Sequence, residues 1–156
     1  MYKMKQAEFD ALERNENGYL VISNHTDCTD INFNGADKII FGDGCKLGDK
    51  RKLGNKYKFG DLCVLGYRCI LGNDCILGDG CELGSWCELG NYCILGDGCV
   101  LGGWCKLGNR CKLGDWCKLN DQCELGNSCK LSKECKLGSG CKLGYGCKLG
   151  EWCRLK

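Results

Sequence analysis

The sequence has no proline, only one histidine (His25) and only two threonines, Thr26 and Thr29. A chain without proline keeps a backbone donor at every residue, which suits consecutive ladder-bonded strands. No apolar run approaches the ~18 residues that would span a membrane. The opening MYKMKQAEFDALERNENGYL contains no apolar stretch long enough for a secretory leader. Clustered C-x2-C pairs of the kind that hold zinc are also missing, although 18 of the 156 residues are cysteine. Together these absences argue against a membrane protein, a secreted disulfide scaffold and a zinc module. They place the chain in the cytoplasm with reduced thiols.

What is present is a repeat, and repeats take precedence over every other signal. From Cys45 to Lys156 the chain reads C-x-L-G-x-x. Every sixth position from Leu47 to Leu155 is leucine, except Phe59. Two places earlier stands cysteine, except at Arg51 and Tyr57, and one place later stands glycine, except at Asn120, Ser132 and Lys156. In an extended C-x-L segment the first and third side chains share a side, so cysteine and leucine face inward and the middle residue outward. Glycine is then expected to supply a positive φ for a corner, a place that Asn120 tolerates. Asp or Asn often follows as a turn former. Each hexad is one short strand and one corner.

This pattern closely resembles the hexapeptide-repeat family, whose chains coil into a left-handed parallel β-helix of triangular section. Leu47-Gly48 through Leu149-Gly150 carry the resemblance, with Cys45 and Cys63 through Cys153 in the small inward slot. The implied fold is all-β, a triangular solenoid of about six coils over residues 45–156 behind an N-terminal cap over residues 1–44. In the cap, residues 3–14 read as a short helix with Met4, Ala7 and Leu12 near one face, followed by a turn, a strand and a degenerate first coil. The short acidic start followed by cysteine-rich hexads also resembles uncharacterised proteins of gut bacteria and their phages. Many members of the family are trimeric acyltransferases with a catalytic histidine near a protruding loop. Here the regular coils contain no histidine and no inserted loop from residue 59 onward, so no catalytic residue is assigned. His25 is the alternative, as the base of an acyltransferase relative. The family's carbonic anhydrases use three histidines on zinc, which one histidine does not provide. No cofactor and no metal site are expected.

The three-hexad coil that the resemblance implies puts residues eighteen apart above one another at the ~4.8 Å strand spacing. Cysteines stacked this way have parallel side-chain vectors, awkward for a disulfide, and packing as small hydrophobes is the simplest role for them. Arg51 in a dry core would be costly, so the first coil is expected to open there and release Arg51 from the lumen. A basic site at Lys50, Arg51, Lys52, Lys56 and Lys58 is the functional counterpart of that transition.

The outward positions supply the remaining candidates. Val64, Ile70, Ile76, Ile94 and Val100 form an apolar band in neighbouring coils, and such bands mark interfaces. Leu149 and Leu155 lie at full repeat strength near the C-terminus with no polar cap, which points to end-to-end association or a homo-oligomer, with a protein partner as the alternative. Lys112, Lys130 and Lys148 stack on one face, and Lys118, Lys136 and Arg154 on another. Trp86 and Trp104 stack at a corner, with Arg68 one coil earlier as a cation–π partner. These could serve an anionic partner. A solvated face is the commoner use of such columns, and nucleic acid is not the expected partner. Charge is graded along the chain. Residues 1–44 hold four Lys/Arg against eight Asp/Glu, whereas residues 105–156 hold eleven against five. The reading favoured by the sequence is a non-enzymatic structural or self-assembling rod.

Overall fold

A computed structural model describes residues 1–33 and 36–156. The chain winds as a parallel β-solenoid of about 7 turns with almost no helix. Three parallel sheets, of nine, five and eight strands, form the three walls. We call them the first, second and third faces, in the order in which each coil visits them. Regular strands are two residues long, such as Glu82–Leu83 on the first face, Glu88–Leu89 on the second and Ile94–Leu95 on the third. Each pairs in register with the strand eighteen residues away, as in Ile76↔Ile94 and Lys112↔Lys130. The inward cysteines and leucines of the coils up to Leu137 are buried, forming one continuous core. At ~1.5–3 kcal/mol for each large apolar side chain removed from water, the leucine columns are a major source of stability.

The repeat begins earlier than Cys45. Leu20–Ile22 pairs with Ile39–Phe41, and Thr26–Cys28 with Lys46–Leu47, so the N-terminal segment contributes a turn of its own. Its core is aromatic. Phe33 meets Phe9 edge-on at 5.3 Å and Phe41 at 5.6 Å, while Phe41 stacks on Phe59 at 4.8 Å. Tyr57, one of the two breaks in the cysteine column, is fully buried in this cluster.

The helix is shorter than expected, Gln6–Asp10, and buries Phe9, while Met4 and Leu12, which flank it, are partly buried against the same core. Ala7 is exposed and Leu12 lies beyond the helix end. Glu8 accepts the Lys5 backbone N–H at 2.7 Å and closes the N-terminus. One turn suffices because its task is to set a single phenyl ring against Phe33.

The glycine after each leucine does not supply the positive φ. The left-handed residues stand two places later, at Lys50, Leu62, Arg68, Trp86 and their equivalents, and Asn120 is not among them. Glycine eases a close approach instead, at a place that also holds Asn120 and Ser132. A Cβ on Gly84 would sit 2.6 Å from the Tyr67 nitrogen, and one on Gly96 2.2 Å from Asp79 Oδ1. Neighbouring coils touch at these corners, and a side chain added at Gly84 or Gly96 would press on the coil beneath.

Arg51 corrects a second expectation. The second face is interrupted there, with Lys52 making only an isolated bridge to Ile70. The side chain does not leave the lumen, however. It is half-buried, its guanidinium donates to the Thr29 carbonyl, and its Nε is buried without a hydrogen-bond partner.

Candidate functional site

The inward slot has a uniform chemistry. All seventeen cysteines from Cys45 to Cys153 aim Sγ at the backbone carbonyl of the residue in the glycine position of the preceding coil. Cys45, Cys105 and Cys117, for example, donate to Ser23, Gly84 and Gly96 at 3.2, 3.3 and 3.2 Å. The exceptional occupants of the slot do the same. Tyr57 Oη donates to the Ala36 carbonyl at 2.6 Å and Arg51 to that of Thr29, whereas Thr26 donates locally, to the Ser23 carbonyl three residues earlier. The corner turns one carbonyl per hexad toward a dry lumen, and a buried acceptor left unpaired is costly. The slot therefore selects a donor as well as a small side chain.

All eighteen cysteines are free thiols. Burial pushes the Cys28 thiol up to about 12 and raises those of Cys147 and Cys153. Nucleophilic and metal-binding cysteines need the thiolate, which burial disfavours at these three; within the columns the thiol–thiol hydrogen bonds act in both directions, lowering Cys93, Cys99 and Cys105 and raising Cys111 and Cys117.

The outward residues of the apolar band do not form one patch. Val64 and Val100 lie on the first face, separated by Glu82. Ile70 is on the second face, next to Glu88. Only Ile76 and Ile94 are neighbours, on the third face, between Lys58 and Lys112. A period of eighteen puts adjacent hexads on different walls, which divides a band that looks continuous along the chain.

The cationic columns form as the spacing requires. Lys112, Lys130 and Lys148 stack on the third face, and Lys118, Lys136 and Arg154 on the first. Trp86 and Trp104 stack at 5.0 Å with rings 3° from parallel. Their corner joins the first and second faces and so lies away from the Lys112 column. Arg68 sits over the Tyr67 ring at 5.9 Å. Lys50 and Lys58, from the proposed basic site, lie over the rings of Tyr67 and Tyr19. His25 is exposed on an N-terminal corner with φ 53°. Its backbone N–H donates to the Asp43 carbonyl at 2.7 Å.

Two features escaped the sequence reading. All four tryptophans occupy left-handed corner positions, and Trp116 and Trp152, 59% and 77% exposed, stand where the two cationic faces meet. A cleft of about 360 Å³ on another corner is lined by Tyr92, Arg110, Lys112, Ser128 and Lys130. Applying the eighteen-residue spacing to every corner, beyond that of Arg68, Trp86 and Trp104, would have aligned Tyr92, Arg110 and Ser128.

No helix among the described residues is long and apolar enough to cross a membrane. Residues 68–103 match a family model described as bacterial transferase hexapeptide (six repeats). No curated protein and no solved structure matches the chain.

Proposed function

We propose that this chain, a hexapeptide-repeat β-solenoid, is a non-enzymatic structural rod that joins copies of itself through its final coil. The observation that carries the proposal is the loss of cover along the leucine columns. Leu131 and Leu137 are 3% and 2% exposed, whereas Leu149 and Leu155, one coil on, are 40% and 53% exposed. The strands Lys142–Leu143, Lys148–Leu149 and Arg154–Leu155 each pair on one side only. Open strand edges beside exposed leucines are a template for another chain.

A second copy suits this surface in head-to-tail order. Strand Tyr2–Lys3 is the free edge at the other end of the first face. Residues 1–44 are acidic and residues 105–156 basic, so head meets tail with opposite charge while tail would meet tail with like charge. A heterologous contact of this kind builds open filaments. The exposed pair Ile76 and Ile94 offers a secondary lateral contact.

Light scattering and electron microscopy over a concentration series test this. Growth into linear assemblies is expected, and Leu155→Lys should suppress it. A compact monomer at every concentration would overturn the reading. Acyl transfer is the second reading, favoured by the description of the matched family. It requires binding of an acyl-coenzyme A that is lost in His25→Ala.

A further inference from the structure

The corner joining the second and third faces differs chemically from the one joining the third and first. Its ladder positions hold Asn91, Asn109 and Asn127, where the other corner holds Asp79, Asp97 and Asp115. Both sets do the same structural work. Each side-chain Oδ1 accepts the backbone N–H of the next coil, at 2.7–2.8 Å for the asparagines and 2.8–2.9 Å for the aspartates. The hydrogen bond does not distinguish the two, but charge does. With Oδ1 committed to the backbone, asparagine presents an amide donor where aspartate presents a negative oxygen.

On this asparagine corner Arg110 stands between Tyr92 and Ser128. It donates to Tyr92 Oη at 3.1 Å, and its guanidinium lies 5.7 Å from the centre of that ring. The phenol orients the guanidinium and leaves most of its five donors free. Lys112 and Lys130, in register on the third face, line the same cleft. Among the described residues none of these three cations has a carboxylate within ion-pair distance. The second face handles its charges differently, with Lys106 and Lys142 sharing Glu124 at 3.7 and 3.2 Å. Like charges opposite one another on adjacent strands destabilise the sheet. Arg110 and Ser128 also border an adjoining hollow lined by Asn91, Asn109 and Asn127, so cations, a hydroxyl and amide donors meet on this corner with no carboxylate at ion-pair distance from the cations.

We propose that this cleft is a binding site for a tetrahedral oxyanion, a phosphate or sulfate ester. Arg110, Lys112 and Lys130 supply the charge. The Ser128 hydroxyl and the asparagine amides supply further donors. Guanidinium forks suit such oxyanions through paired N–H bonds. The site is independent of the end-to-end contact and lies on the side of the rod, so each copy in an assembly would carry one.

The test is titration of the full chain with inorganic phosphate, sulfate and tripolyphosphate, followed by backbone amide NMR against sodium chloride of matched ionic strength. Saturable shifts centred on residues 91–92, 109–110 and 127–128 are expected. Arg110→Gln and Lys130→Gln should each weaken binding roughly tenfold or more, the scale of a lost hydrogen bond to a charged group. Asn109→Asp should do the same while keeping its ladder bond, since the aspartate corner shows that the carboxylate is accommodated. Lys142→Gln should leave binding unchanged. Tripolyphosphate binding far tighter than phosphate would identify a polyanion chain as the source, and similar affinities a single ester group. Shifts no different from those with chloride, or an Asn109→Asp chain that binds like the parent, would overturn the proposal.

Discussion

Replacing Cys105 by alanine and, separately, by serine discriminates between two accounts of the cysteine slot. Cys105 is 0% exposed in a central coil and donates to the Gly84 carbonyl at 3.3 Å. No other donor to that carbonyl is present among the described residues. Alanine removes the buried sulfur and leaves the carbonyl unpaired. The lost burial is worth about 1 kcal/mol. The unpaired acceptor adds about 1 kcal/mol, the lower end of the usual range because a thiol is a weak donor. Serine also loses the sulfur but keeps a donor, and a stronger one. The expected order of stability is Cys, then Ser, then Ala, with the serine variant ahead of alanine by about 0.5–1 kcal/mol. Urea unfolding under reducing conditions reads this as a shift in midpoint at unchanged slope. A slot chosen for size and hydrophobicity alone predicts the reverse, since serine would bury a hydroxyl where alanine buries nothing polar. An alanine variant as stable as serine, or more so, would refute the donor account.

Three further outcomes follow from the same geometry. In the native state a thiol-alkylating reagent should label only Cys141, Cys147 and Cys153, the partly exposed cysteines of the final coil, and should reach the rest only after denaturation; mass spectrometry counts the adducts. Gly84→Ala, whose Cβ would meet the Tyr67 backbone at 2.6 Å, should cost over ~2 kcal/mol, while Gly98→Ala, with φ +66° and nothing within 4 Å, should cost only the ~1–2 kcal/mol of a left-handed alanine; paired urea curves compare them. Lys130→Glu, placed between Lys112 and Lys148, should stabilise the stack by about 0.5–1 kcal/mol at low salt, with the gain fading as salt rises; thermal melts at two ionic strengths show the difference.

Much of the architecture was legible because the period is regular. A hexad that alternates inward and outward states its own strand, and three hexads per coil name every stacking partner. Ile76 with Ile94, Trp86 with Trp104, and the lysine columns were all read from spacing, and the structure stacks them so. The division of the apolar band over three walls followed from the same arithmetic but needed the coil to be closed before it could be seen.

The sequence by itself determined the six-residue period and, Arg51 apart, the inward occupants, because these depend only on backbone alternation; the eighteen-residue turn, which sets the face of each outward side chain, was implied by the resemblance to the hexapeptide-repeat family and is shown by the register of the strands. The tertiary structure decided what each slot is for. Glycine follows leucine because adjacent coils nearly touch there, with Gly96 held against Asp79, and a neighbour eighteen residues away is invisible to local φ preferences. Cysteine, Tyr57 and Arg51 share one slot because each reaches a carbonyl turned into the lumen. The direction of a carbonyl is fixed only when the coil closes on the coil beneath it.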